Sequence, residues 1–227
     1  MRTTDQALLQ GLFPPEISTS CSEPGIFRDQ VFPEEWALVE SAVAKRQAEF
    51  CGGRVSAHLA LEKLGIAKTP ILSNPDRSPC WPAGVVGTIS HTKGFCGAAV
   101  CQRGEIIGLG LDIELAEPLD EKLIRRICTA GEQGWLSGYP VGQAGLFAKL
   151  VFCIKEAAYK CQYPITRQFI EFHQAEVRLD PGAKTYEIVF TGLKSGTPQY
   201  CAQIGGKYDM TDTHVFASAV IRRESPE

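Results

Sequence analysis

The sequence predicts an α+β protein built from two pseudosymmetric halves. Two observations carry that expectation. Helical patterning followed by a meander of strand-like segments runs along the chain twice, in the same order. The last strand candidate, HVFASAVI, also echoes GFCGAAVC in the first half. The expected division is residues 1–114 and 115–227, each half placing helices on a small, mainly antiparallel sheet.

Residues 1–33 are rich in Pro, Ser and Gly and predict mostly irregular chain. Glu34 to Leu64 reads as two helices interrupted at Gly52-Gly53, with Gly65 as a natural stop. The turn-rich SNPDRSPCWPAG follows, then strands over Val85–Ser90, Phe95–Cys101 and Ile106–Glu114. In the second half, helical patterns cover Leu119–Cys128, Ala130–Leu136 and Gly145–Cys161. Strands are expected near Ala175–Leu179, Tyr186–Phe190, Tyr200–Ile204 and His214–Ile221.

With 227 residues and 44% apolar content, the chain can bury the core of one large domain or two small ones. Twenty-three Lys+Arg against 26 Asp+Glu leave a net charge of −3, so no global basic field draws it to nucleic acid. No acidic excess argues for disorder, and any anion site must come from local clustering. The start, MRTTDQALLQGLFPPEIS, has no long apolar stretch behind a basic run, so neither a signal peptide nor a membrane span is expected. Nine cysteines, an odd number with no C-x-x-C pair, are scattered through apolar segments. That is the pattern of reduced, buried thiols in a cytoplasmic protein rather than of a disulfide framework or a zinc site.

Strand alternation in GLGLDIELAE sets Leu109, Leu111 and Ile113 on one face and Gly108, Gly110, Asp112 and Glu114 on the other. Carboxylates at i and i+2 stand roughly 6.5–7 Å apart at the backbone, within reach of one cation. Such a pair suits Mg²⁺, which takes hard oxygen ligands and keeps positions for water and phosphate. The flanking glycines are expected to leave room for a ligand. A solvated strand end accounts for a bare D-x-E equally well. In GLFAKLVFCIKEAAYK, residues 146, 147, 150, 151, 154 and 158 form an apolar stripe, and Lys149, Cys153, Glu156 and Lys160 lie off it. Glu156 and Lys160 are either an exposed ion pair or a third metal ligand with a phosphate clamp. Spacing alone leaves both open.

KRQAEFCGGRVSAH carries Lys45, Arg46, Arg54 and His58. Arg46 and Arg54 lie eight residues apart, on similar faces of a helix that the glycines do not rotate. Guanidinium groups fit phosphate oxygens bidentately, and Gly52-Gly53 would let a ligand approach the backbone. The bland alternative is a solvated face and a helix break. His58 reads as a packing or surface residue. Arg77, in the Pro-rich loop, reaches either a phosphate or solvent. Ser90-His91 is no hydrolase dyad, because strand neighbours point to opposite faces and no G-x-S-x-G elbow surrounds the serine.

In this order, KRQAEFCGGR, DRSPCWP, GTISHTKG, GLGLDIE, CTAGE and FCIKEAAYK resemble the Sfp-type 4'-phosphopantetheinyl transferases. The look is closest to the branch typified by enterobactin synthase component D. The resemblance covers Lys45 to Lys160, about half of the chain. It implies Mg²⁺ on Asp112, Glu114 and Glu156. It also implies contacts to the 3'-phosphate and pyrophosphate of coenzyme A from Arg46, Arg54, Arg77, Ser90 and His91. Lys155 and Lys160 match the lysines of a K-E-x-x-x-K signature, Lys160 facing the pyrophosphate, and Glu132 matches a glutamate proposed as general base. Coenzyme A is expected in a cleft between the halves. Two positions depart from the pattern. ICTAGE lacks the phenylalanine that often precedes the Ser/Thr, and Phe152 replaces a frequent tryptophan; both keep an apolar residue.

The implied reaction moves phosphopantetheine from coenzyme A to a serine of an acyl or peptidyl carrier protein, releasing adenosine 3',5'-bisphosphate. Siderophore assembly fits that branch, with fatty acid, polyketide or other peptide carriers as alternatives. Lys122, Arg125 and Arg126 are either part of a docking face for an acidic carrier or an ordinary solvated helix face. A monomer is expected. The competing readings are a non-catalytic coenzyme A or carrier-binding module and a Mg²⁺-dependent nucleotide hydrolase. The hydrolase leaves the Ser-His and K-E-x-x-x-K segments unexplained.

Overall fold

The segment expected to be irregular opens with helix α1 (Thr3–Gly11) and strand β1 (Ser18–Ser22) in the computed structural model, which describes residues 3–223. The strand was illegible because STSCS is small and polar, outside the β-branched and aromatic residues that mark strands. Its polar groups are satisfied locally. Gln6 and Gln10 of α1 bond Thr19, and the Lys63 ammonium donates to the Thr19 carbonyl at 2.7 Å.

After β1 come the short helix α2 (Pro33–Ala37) and the long helix α3 (Ala44–Lys63). Contrary to expectation, α3 runs through Gly52-Gly53 without interruption. A Cβ at Gly52 would stand 2.7 Å from the Cys96 Sγ, and one at Gly53 would stand 2.9 Å from the Ile89 side chain. The glycines let a sheet press against the helix; they neither break it nor open its backbone to a ligand. Each costs helix stability on its own account, which the close packing offsets. Leu64 and the left-handed Gly65 (φ 70°) end the helix as expected.

A two-residue hairpin, β2 (Leu72–Ser73) with β3 (Pro79–Cys80), precedes β4 (Val85–Thr92) and β5 (Phe95–Gln102). The first main sheet has the order β1-β5-β4, antiparallel throughout, and α3 packs across it. Ala57, Ala60, Leu61, Ile71, Val85, Ala98 and Val100 form a core of this unit.

The second compact unit begins at Ile107, just inside β6 (Ile106–Leu115). Helices α4 (Glu121–Ile127), α5 (Ala130–Leu136) and α6 (Val141–Thr166) follow, then β7 (Ala175–Asp180) and β8 (Thr185–Phe190). The strand expected from Tyr200 starts instead as one helical turn, α7 (Gln199–Ala202), behind Pro198. Strand β9 then runs over Gln203–Met210, and β10 over His214–Arg222. Gly205-Gly206 signals a turn in sequence, yet both lie within β9. A Cβ on Gly206 would stand 1.8 Å from the Ser218 carbonyl of β10, so glycine is what lets the strands close.

The second sheet has the order β6-β10-β9-β8-β7, and α6 lies on β10. Leu150, Val151, Ile154, Ile188, Ile204 and Ile221 fill its core. Each unit therefore sets one long helix on an antiparallel sheet, the α+β class read from the sequence. All nine cysteines are free thiols, eight of them buried and Cys80 exposed. Burial pushes Cys21 up to about 11 and Cys96 and Cys128 up to about 12, so these thiols stay protonated and inert at neutral pH. Among the described residues, no helix is long and apolar enough to cross a membrane.

Candidate active site

In the second unit, β6 and α6 approach far more closely than a helix and a strand with ordinary side chains allow. A Cβ on Gly110 would stand 1.8 Å from the Ala157 carbonyl oxygen, and one on Gly108 would stand 2.7 Å from that of Cys161. The glycines expected to make room for a ligand make room for α6. Cys153 completes the seam, its thiol donating to the Asp112 carbonyl at 3.3 Å. This contact sets the Glu156 and Lys160 turn of α6 over the end of β6 that carries Asp112 and Glu114.

Asp112 is buried, and its Oδ1 accepts from the Lys160 ammonium at 2.6 Å. Lys160 also donates to the Leu111 carbonyl at 3.2 Å. Glu114 faces the Lys149 ammonium at 3.5 Å. Burial pushes the Glu156 carboxyl up, and the charges of Asp112 and Glu114 push it further, against the pull of Lys160. Burial and Asp112 raise Glu114 in the same way, with Lys149 opposing. Burial disfavours the Lys160 ammonium, but Asp112 and Glu156 hold its pKa above the ordinary lysine value. Three carboxylates thus repel one another across a half-buried patch, and lysines neutralise part of their charge.

The donor set fits a hard divalent cation: carboxylate oxygens only, with surplus negative charge. Among the described residues, however, no three acidic, histidine or cysteine side chains stand as a ligand set that could hold a metal ion. Asp112 and Glu114 face ammonium groups instead.

Glu132 and Lys155 form a different kind of group. Thr129 and Glu132 make the capping box of α5, the threonine hydroxyl accepting from the Glu132 amide while Glu132 Oε2 accepts from the Thr129 amide. The same Oε2 takes the Lys155 ammonium at 2.7 Å, and Oε1 takes the Val177 amide at 2.9 Å. Lys155 is buried and uses its two other N–H groups on the carbonyls of Ile127 and Phe172, both at 2.9 Å. These residues tie α5, α6 and β7 together. Beside them lies a cavity of about 550 Å³, lined by Lys155, Glu156, Tyr159, Phe169, Phe172, His173, Phe190 and Arg126 among others. Of the basic residues on α4, Arg125 is held by Glu121 at 2.7 Å, whereas Arg126 faces this cavity.

In the first unit, Arg46 donates to the His91 ring at 3.0 Å. A guanidinium only donates, so Nε2 is the acceptor and the ring proton sits on Nδ1, which faces Glu49 at 3.6 Å. Arg54 is buried, 3.8 Å from Glu35. Burial pulls its guanidinium down to about 10, with Glu35 opposing and Arg46 adding to the shift. His58, expected as a packing or surface residue, is buried and donates to both Glu35 oxygens at 3.0 and 3.1 Å. Ser90 is buried on β4, while His91 points to the other face. Arg77 is exposed in the β2–β3 turn with a left-handed φ of 68°. Arg46, His91 and Arg54 are thus brought into one neighbourhood, and the Arg77 side chain projects from a turn.

Two family models match the chain: the 4'-phosphopantetheinyl transferase N-terminal domain over residues 34–101, and the 4'-phosphopantetheinyl transferase superfamily over residues 108–217. The 4'-phosphopantetheinyl transferase Npt of Nocardia iowensis is 31% identical over 172 residues, 76% of this chain and 73% of that protein. The chain belongs to the 4'-phosphopantetheinyl transferase superfamily. Within it, Svp of Streptomyces mobaraensis is 38% identical over 157 residues, 69% of this chain and 64% of that protein, so the match spans just under two thirds of Svp. Enterobactin synthase component D of Escherichia coli K12, the branch that the motifs resemble, is 30% identical over 164 residues, 71% of this chain and 70% of that protein. Its identity is lower than that of Svp.

Three residues of this superfamily member's site neighbourhoods escaped the sequence reading. Lys149 was seen only as lying off the apolar stripe, although it precedes Glu156 by seven residues and so shares its face. Glu49 and Glu35 carried no signal beyond ordinary helix acids, since nothing local shows that a strand histidine or a buried arginine will meet them.

Proposed function

We propose that the chain is a 4'-phosphopantetheinyl transferase that moves phosphopantetheine from coenzyme A to a serine hydroxyl of an apo acyl or peptidyl carrier protein. One observation carries this reading beyond family membership: Asp112 and Glu114 on β6 and the sequence-distant Glu156 on α6 form one mutually repelling carboxylate patch with Lys160 among them. The three acids would hold Mg²⁺, which when bound neutralises pyrophosphate charge. The serine oxygen forms a bond to the β-phosphorus while the bond to the bridging oxygen breaks, and adenosine 3',5'-bisphosphate leaves. Lys160 offsets the charge that grows on the leaving phosphate. Arg46, His91, Arg54, Ser90 and Arg77 take the 3'-phosphate and pyrophosphate. With every N–H already donated, Lys155 acts on the ligand through charge. The likeness to enterobactin synthase component D supports a carrier in siderophore assembly.

Glu132 is the proposed acceptor of the serine proton. Its two oxygens already take three donors, so it receives a proton only as one of them lets go. Glu132→Gln should therefore show two losses. Leaving the buried Lys155 ammonium without its carboxylate costs about 3 kcal/mol or more of stability. Turnover per folded molecule should fall by about 10²-fold or more. A loss below about tenfold, with the stability loss present, would leave Glu132 as an anchor only.

The function itself is tested by incubating the protein with coenzyme A, Mg²⁺ and an apo carrier protein and weighing the carrier by mass spectrometry. The carrier should gain one phosphopantetheine on its serine, and chelating the Mg²⁺ should stop the gain. An unchanged carrier across a panel of acyl and peptidyl carriers, with coenzyme A still bound, would mean a binding module rather than an enzyme.

A further inference from the structure

Arg46, Phe50 and Arg54 follow one another at four-residue steps on α3, a stripe that drifts by only about 40° per step. The Phe50 ring meets both guanidiniums. The Arg54 Cζ is 4.4 Å from the ring centroid and the Arg46 Cζ is 6.0 Å from it. Two like charges so placed repel, and each lowers the free energy of the other's departure. The negative face of an aromatic ring opposes this, with a larger effect where water is excluded. Water is excluded from the Phe50–Arg54 contact, since both residues are buried. Glu35 also stands 3.8 Å from Arg54, and Glu49 lies on the far side of His91 from Arg46. Arg46, an exposed residue, is thereby held by the Phe50 ring and by the His91 Nε2 at 3.0 Å.

We propose that Phe50 is a positioning residue for coenzyme A: its ring holds Arg46 and Arg54 close together as one preorganised doubly charged clamp for phosphate. The inference rests on the reading that these arginines take the phosphates of coenzyme A. An aliphatic side chain of similar volume fills the space but gives the guanidiniums no π face. Arg46 then keeps only its His91 contact, and more of its ordering must be supplied at each binding event.

The test compares Phe50→Leu, Phe50→Tyr, Arg46→Ala and Arg54→Ala with the unaltered protein, using calorimetric titration of coenzyme A together with KM and kcat. Phe50→Leu should weaken coenzyme A binding and raise its KM by about tenfold, with kcat within about twofold. Phe50→Tyr, which keeps the π face, should restore the affinity. A ring-fluorinated phenylalanine at position 50 keeps shape and packing while draining that face, and should weaken binding as leucine does. That arm decides the matter if Phe50→Leu unfolds. Normal affinity in the leucine and fluorinated variants, with Arg46→Ala and Arg54→Ala impaired, overturns the inference and leaves the phosphate reading intact. Normal affinity in both arginine variants overturns the phosphate reading, and the inference with it.

Discussion

Gly110→Ala should destabilise the protein by about 3 kcal/mol or more, the upper end of what overpacking costs. For a chain of this size that corresponds to a fall in melting temperature of roughly 6–12 °C. The added methyl would stand 1.8 Å from the Ala157 carbonyl oxygen, 2.8 Å from its carbon and 3.0 Å from the Cys161 Cβ. Two of those atoms are helix backbone, so no rotamer change relieves the clash, and α6 or β6 must move as a unit. The same movement draws Glu156 and Lys160 away from Asp112, so turnover should fall even in the fraction that remains folded. Gly134→Ala is the control. Gly134 lies inside α5 with nothing near its would-be Cβ, and alanine there should be neutral or stabilise by up to about 1 kcal/mol. Equal melting temperatures for the Gly110 variant and the unaltered protein would show that the seam is looser than the geometry says.

That seam also marks where sequence reasoning stops. Periodicity placed the strands that bury apolar residues within a residue or two, because Val85–Thr92, Phe95–Gln102 and His214–Arg222 all carry strong patterns. Ala130–Leu136 was legible as a helical pattern, and the structure adds the capping box of Thr129 and Glu132 that starts it. Glycine was misread twice, at Gly52-Gly53 and at Gly108 and Gly110. The chain encodes only the absence of a side chain. Whether that absence serves a turn, a ligand or another backbone is decided by what packs there, a tertiary fact. Strand β1 was missed for the converse reason, since its buried polar residues are satisfied by partners from α1 and α3.

The site shows the same split. The identities of Asp112, Glu114, Glu156 and Lys160 stand in the motifs, and helix and strand periodicity put each on a definable face. Their mutual charge coupling required the β6–α6 contact. The resemblance makes Lys155 a signature lysine at the coenzyme A site and Glu132 a general base, while the structure adds that they pair in the interior. Arg54 likewise sits under the surface, behind Phe50, rather than on the solvated face that helix spacing alone suggests.

Glu156→Gln separates the role of the acids from their effect on the fold. Burial and the charges of Asp112 and Glu114 both penalise the Glu156 carboxylate, so a neutral amide relieves repulsion, and the variant should melt no lower than the unaltered protein. Its Mg²⁺-dependent turnover should nevertheless fall by about 10²-fold or more, the scale of several kcal/mol of lost charge stabilisation. Function and stability should therefore move in opposite directions. The most direct measurement is calorimetric titration of Mg²⁺, with coenzyme A present, into the unaltered protein and the Glu156→Gln variant. The unaltered protein should bind Mg²⁺ at least about tenfold more tightly than the variant, each having first been shown to bind coenzyme A. Equal Mg²⁺ affinity in the two proteins would contradict the assignment of Asp112, Glu114 and Glu156 as the cation site.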